Sequence, residues 1–438
     1  MTTSTHLLRR RRFLPLFCTQ LLNAFNDNLY KTALVLFVVY QVYNDPRQEF
    51  IVSAIATLLF MLPFFLFSAL AGQLADMRDK AAIIRTVKIC EIGLMSIGAI
   101  GLFLTWSGYG PDWLGIYVMM FALFLAGIQS TFLGPIKYAI LPQHLKREEV
   151  LSGTGLVEAG TYVAILLGTI LAGWITVQTA TWLILVTAVV GYSVSRTVPP
   201  APPLGEVKKL DLNLWRSSIE LVRSTMHDRQ IYFAIIAISF FWTIGAVLFI
   251  QFPPLAKNVL FASPRVASLF LVMFSVGVAI GSVGINALLK GKVSAKYSPL
   301  SVLVMGAFVV AFYLLLRFWN GDTSNGLLGV TDFVAQPLAI PLLLCLLGIA
   351  VAGGMFVVPL YAFLTTRCAP DEASRTIAAN NIVNAGAMVL GSVFSLLLGL
   401  LGVDVVEQVL MSAGMCLISA WLGKRLFDAE KDGALLSA

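Results

Sequence analysis

The chain has 438 residues, with 30 Lys and Arg against 23 Asp and Glu for a net charge of +7, yet only 12% of it is charged and 58% is hydrophobic. A soluble domain is usually about 25% charged, and a mean hydropathy of +0.86 excludes a single water-facing core. The positive charge does not point to nucleic acid, because the basic residues lie in short loops between apolar runs without stacking platforms.

Apolar runs long enough to cross a hydrocarbon layer about 30 Å thick as helices predict spans at 13–42, 50–72, 81–105, 113–134, 150–175 and 179–197. A second set follows at 230–254, 265–289, 299–319, 337–360, 376–400 and 403–426. The expected fold is all-α integral membrane, with about twelve transmembrane helices in two pseudo-symmetric six-helix bundles, 1–197 and 230–438. A cytoplasmic linker at 198–229 opens with Pro199, Pro200, Pro202 and Pro203 and continues into an amphipathic segment from Leu212 to Val222. Five scattered cysteines, Cys18, Cys90, Cys345, Cys368 and Cys416, do not make a disulfide framework.

In chain order, Arg9 to Arg12 precede an apolar stretch much longer than a signal-peptide core of about 7–15 residues, and it holds Asp27 and Lys31, so it reads as a retained first helix. Within it Gln20, Asn23, Asp27 and Lys31 are spaced three, four and four and share one helical face, with Asn26 and Asn28 flanking. Ionisable groups inside a bilayer cost about 2.5–3.5 kcal/mol on insertion scales unless they meet a cavity or a partner. The face reads either as a binding surface offering a carboxylate to a cationic group, or as an Asp27–Lys31 pair that fixes helix packing.

Glu91 in the third helix, with Lys88 three residues earlier and Arg85 beyond, reads as a local pair near the membrane interface. Lys137, at the end of the fourth helix, is an interfacial anchor or a phosphate contact. Glu158 in the fifth helix, with Thr161 and Tyr162 adjoining, lines a cavity or caps a neighbouring helix. Asn380, Asn381 and Asn384 give the eleventh helix an uncharged polar patch, able to bond a headgroup or a facing helix. Glycines recur in the fifth, eighth and eleventh helices, where small residues permit close packing.

Of the 30 Lys and Arg, only Arg47, Lys257, Arg265 and Arg317 fall on the face opposite the N-terminus, with Lys31 inside the first helix. The positive-inside rule then places both termini in the cytoplasm. An internal repeat supports two related halves: Leu156-Val157-Glu158-Ala159-Gly160 matches Ile382-Val383-Asn384-Ala385-Gly386, and Pro135 matches Pro359 at nearly the same offset. Lys290-Gly291-Lys292-Val293-Ser294 lacks P-loop spacing, no G-x-S-x-G elbow occurs, and His144 with Glu148 and Glu149 is not a convincing acid–base site. ATP-driven transport and enzyme activity are disfavoured, and neither cofactor nor metal is expected.

Between the second and third helices, Gly72-Gln73-Leu74-Ala75-Asp76-Met77-Arg78-Asp79-Lys80 resembles the G-x-L-A-D-R-x-G-R-K loop of the major facilitator superfamily. Asp79 replaces the second glycine, so a different turn is expected there. The resemblance gives Gly72, Asp76, Arg78 and Lys80 a conformational role, with Asp76 and Arg78 available for the charge pairing that locks a half-bundle.

Four further strings look like the bacterial lysophospholipid transporter family. They are Ala24-Phe25-Asn26-Asp27-Asn28, Gly134-Pro135-Ile136-Lys137-Tyr138-Ala139-Ile140-Leu141, Gly155-Leu156-Val157-Glu158-Ala159 with Leu166-Leu167-Gly168, and Gly353-Gly354-Met355-Phe356-Val357-Val358-Pro359-Leu360. The resemblance implies movement of lysophospholipids, chiefly lysophosphatidylethanolamine, to the cytoplasmic leaflet of the inner membrane for re-acylation. It also implies partnership with a cytoplasmic acyltransferase or acyl carrier protein ligase, to which some relatives are fused; here neither fusion is expected. Such transporters can carry an arginine in the seventh helix, where this chain reads Phe-Trp-Thr-Ile-Gly-Ala-Val-Leu-Phe, ending at Phe249. Lys31 or Lys137 then becomes the phosphate contact. The implied substrate site comprises Asn23, Asn26, Asp27, Asn28, Lys31, Lys137, Glu158, Asn380 and Asn384. The rivals are a proton-coupled drug or nutrient transporter of the same fold, protonated at Asp27 or Glu158, and a membrane docking subunit that delivers lipid to an acyltransferase.

Overall fold

A computed structural model describes residues 4–203, 210–290, 293–320, 326–367 and 373–436. The long helices, in chain order, are α1 (Leu14–Phe37), α2 (Pro46–Met77), α3 (Lys80–Ser107), α4 (Asp112–Ala139), α5 (Arg147–Trp174) and α6 (Val177–Ser195). They continue as α7 (Arg229–Asn258), α8 (Pro264–Leu288), α9 (Ser298–Arg317), α10 (Ala339–Arg367), α11 (Ala373–Leu400) and α12 (Val405–Leu436). A linker helix, Leu214–Thr225, lies between α6 and α7. Among the described residues the only β-type pairing is an isolated bridge between Ala262 and Leu328.

The protein is therefore an all-helical membrane protein. Among the described residues, ten helices are long and apolar enough to cross a membrane. In α1, Gln20, Asn23, Asn26, Asp27, Asn28 and Lys31 dilute the apolar content; in α5 the described residues include the shorter apolar stretch Ala159–Trp174. The helices outrun several expected ends, because apolar periodicity stops at the membrane whereas hydrogen-bonded turns continue into the polar layer: α2 runs to Met77 and α12 to Leu436. The first span ends differently from expectation, its last turn being a π-helix at Val38–Val42.

Two compact units divide the chain. One comprises residues 1–38 and 59–218, the other 39–58 and 219–438. In the first unit α1 packs along α5 and α3 along α4. Close approach there depends on glycine: a Cβ on Gly168 would sit 2.5 Å from the Phe25 carbonyl oxygen and one on Gly98 would sit 2.7 Å from the Tyr30 ring. An apolar core joins Phe13, Leu16, Ala81, Ile84, Ile136 and Leu141. In the second unit α7 packs along α11 and α8 along α10, the latter crossing at Gly354, where a Cβ would stand 2.5 Å from the Val278 carbonyl oxygen.

Candidate functional site

Gln20, Asn23 and Asp27 fall one turn apart on α1, and all three are buried, Asp27 with 3% of its surface exposed. Burial obliges each polar group to find a partner, and most of them do so on α3 and α4. Asn23 Nδ2 donates to Asp27 Oδ2 at 3.0 Å and to Ser130 Oγ at 3.2 Å. The Ser130 hydroxyl also donates to Asp27 Oδ2. Asn23 Oδ1 accepts from Gln129 Nε2 at 2.5 Å and from Lys88 Nζ at 3.4 Å. Gln129 reaches Glu91 Oε2 at 3.2 Å, and Asn26 Nδ2 donates to Glu91 Oε1 at 2.8 Å and to the Ile184 carbonyl on α6 at 3.2 Å.

The Lys88–Glu91 ion pair stands at the centre of this network. The pair expected near the membrane interface forms, but both side chains are 0% exposed, so it belongs to the bundle interior. The spacing of three residues on α3 aims both groups at one side, and that side faces α1 and α4. Asp27 Oδ1 has no hydrogen-bond partner, and the same holds for Asn26 Oδ1, Gln129 Oε1 and Gln20 Nε2. Chemically the site offers one carboxylate oxygen, flanked by amide groups, to a donor or cation.

The remaining expected residues separate. Lys31 forms no ion pair with Asp27 among the described residues; its ammonium lies 5.3 Å from the Phe60 ring centroid, in cation–π range. Asn28 donates to the Ala24 carbonyl one turn back on its own helix, at 2.9 Å. Lys137 is half-buried in the last turn of α4. Glu158 falls on α5, but its side chain lies outside the described residues.

In the second unit Asn384 accepts from Ser239 Oγ at 2.7 Å and donates to the Tyr361 hydroxyl at 3.3 Å, which also accepts from Trp242 Nε1 at 2.7 Å. One turn earlier Asn380 is fully buried with both amide atoms unpartnered. Sequence reasoning missed Gln129 and Ser130, whose signal was an amide and a hydroxyl side by side within an apolar helix. It also missed Trp242 and Tyr361, whose apolar rings hide their donor and hydroxyl.

The loop after α2 turns as the replacement of the motif's second glycine by Asp79 leads one to expect, differently from the family pattern. Asp76 and Arg78 are exposed, and among the described residues no ion pair joins them. Asp79 holds the connection instead. Its backbone is extended (φ −60°, ψ 116°), and its side chain caps α3 by accepting from Ala81 and Ala82, then takes the Ala201 N–H of the linker at 3.1 Å. No glycine geometry is needed at that turn. Burial disfavours the charged form of Asp79, but the N–H groups of Ala201, Ala81 and Ala82, aided by Arg85, outweigh it and hold the carboxyl below its usual value. Lys80, buried, donates its own N–H to the Ala201 carbonyl at 3.0 Å; Gly72, half-buried on α2, leaves open space where a Cβ would be.

Comparison with known proteins agrees with this architecture. The lysophospholipid transporter LplT of Serratia proteamaculans is 27% identical over 396 residues, covering 87% of each chain. The transporter of the same name from Escherichia coli is 26% identical over 385 residues, covering 85% of this chain and 84% of that one. Among solved structures, a bacterial homologue of the iron transporter ferroportin in an inward-facing state aligns with a TM-score of 0.67 at 15% identity, covering 95% of this chain and 98% of that one. The nucleoside transporter NupG aligns at 0.61 and 14% identity, covering 95% and 100%. These likenesses speak for the fold. The family model of the Major Facilitator Superfamily matches residues 16–392, and the chain belongs to that superfamily of transporters.

Proposed function

We propose that the protein carries lysophospholipids, chiefly lysophosphatidylethanolamine, to the cytoplasmic leaflet of the bacterial inner membrane, where a cytoplasmic acyltransferase re-acylates them. The observation that carries the substrate class is likeness, over 85–87% of the chain, to two transporters named for lysophospholipids. Asp27 Oδ1 supplies a chemical reason: an unpartnered acceptor on a buried carboxylate suits the ethanolamine ammonium, and buried charges are retained where they meet a counter-charge. Asn23 and Asn26 frame that contact. Lys31 or Lys137 is the phosphate contact, Glu158 completes the cavity, and Asn380 and Asn384 belong to the proposed substrate site. The acyl chain stays in an apolar lateral opening while the halves, residues 1–197 and 230–438 joined by the linker, alternate in access. Both termini face the cytoplasm, following the distribution of Lys and Arg.

The test is reconstitution in liposomes with labelled lysophosphatidylethanolamine, with and without an ion gradient and without added enzyme. Translocation by the purified protein is expected. Its absence would favour the docking subunit, and uptake of water-soluble substrates driven by a pH gradient would favour the proton-coupled rival. Asp27→Ala that inserts normally should lose most uptake; full activity would remove Asp27 from the site.

A further inference from the structure

We infer that the buried Lys88–Glu91 pair is the positioning device of the Asp27 site: it fixes the Asn23 amide so that Asp27 presents a single free carboxylate oxygen, Oδ1, to a ligand ammonium. The inference rests on reading Asp27 as the headgroup contact.

An asparagine amide has an acceptor end and a donor end, and the direction in which Asn23 points decides what Asp27 can do. Lys88 Nζ and Gln129 Nε2 both approach Asn23 Oδ1, at 3.4 and 2.5 Å. Two donors on that side hold the oxygen there and turn Nδ2 toward Asp27 Oδ2 at 3.0 Å. Oδ2 is then occupied twice, by Asn23 and Ser130, and Oδ1 alone stays without a hydrogen-bond partner. Glu91 organises the donors: it pairs with Lys88, accepts from Gln129 and accepts from Asn26. Without Glu91, Lys88 would be an uncompensated buried charge. Without Lys88 and Gln129, the Asn23 amide could reverse and set an acceptor against Asp27.

Stability is a weak reason for the pair, since a buried ion pair is often no better than apolar side chains of similar volume. The surrounding backbone nevertheless makes room for it. A Cβ on Gly191 of α6 would stand 2.8 Å from Lys88 Cε and 2.9 Å from its Nζ, so α6 carries no side chain where the lysine lies.

The test measures uptake into proteoliposomes of lysophosphatidylethanolamine and of lysophosphatidylglycerol, which has no ammonium, by the full chain and its variants. Lys88→Met with Glu91→Gln removes both members of the pair, so neither is left as a lone buried charge. The double variant is expected to raise KM for lysophosphatidylethanolamine about tenfold with kcat within about threefold, the pattern of lost binding rather than lost turnover. Its preference for the ammonium lipid should fall in parallel. Gly191→Ala alters no polar group but displaces Lys88, and should move KM in the same direction by a smaller factor. A double variant with wild-type KM and headgroup preference would reduce the pair to charge balance and overturn the inference, as would a Gly191→Ala protein with unchanged KM. If the wild-type protein moves no lysolipid, the functional reading fails, and that outcome is distinct from either.

Discussion

Two buried carboxylates, one in each unit, have opposite amounts of bonding left over. Glu49, in the first turn of α2 and fully buried, accepts from Lys257 Nζ at 2.6 Å on one oxygen and from Asn258 Nδ2 at 2.5 Å on the other. The Lys257 ammonium has its three hydrogens directed to Glu49 and to the carbonyls of Val39 and Tyr43, at 2.5 and 2.8 Å, where the π-helical turn ends α1. Every strong donor and acceptor in that cluster is satisfied, which makes it a clamp between helix ends. Asp27 in the first unit is equally buried, but one of its oxygens is unpartnered. Burial of charge by itself therefore does not mark a ligand site in this protein; the role proposed for Asp27 rests on its unused hydrogen-bonding capacity.

The comparison breaks most readily at the clamp. Glu49→Ala leaves the Lys257 ammonium without its counter-charge, and denaturant unfolding in detergent should show a loss of about 3–5 kcal/mol. Glu49→Gln with Lys257→Met should recover most of it. Unchanged stability in Glu49→Ala would mean that the cluster holds nothing together. Asp27→Asn should do the reverse, with a stability loss of about 1 kcal/mol but uptake of lysophosphatidylethanolamine reduced more than about tenfold, the scale of losing a buried charge contact.

Asp79 extends the comparison outside the membrane, where its Oδ1 accepts from the N–H groups of Ala81, Ala82 and Ala201. Asp79→Ala should cost about 1 kcal/mol of stability and Asp79→Gly only a few tenths from the cap itself, read from thermal midpoints. Because its folded pKa lies below the unfolded value, near 3.9, its contribution is fully present above about pH 4. It is lost as the pH falls through the lower folded value. The wild-type and Asp79→Ala midpoints should converge only in that acid range. The smallest effect is expected for Asn28→Ala, whose amide already bonds its own helix, with uptake changed by no more than about twofold.

Ten of the helices were legible among the described residues because a membrane-crossing helix must be apolar for about twenty residues, a local property that the chain displays directly. The α1 face was legible for the same reason: Asn23 and Asp27, four residues apart, share a side in any helix. The sequence foretold a different turn at Asp79 but not its bond to the linker, since the N–H that it binds lies 122 residues away.

The sequence by itself determined the membrane-spanning helical architecture and the polar face of α1, since both follow from composition and helical period. Only tertiary structure decided that Lys88 and Glu91 turn inward to that face, that Lys31 turns to Phe60 and Asn28 to its own backbone, and that Asp27 retains one open oxygen. Each of those outcomes depends on which donor meets which acceptor across helices, a matter of packing geometry that helical period does not encode.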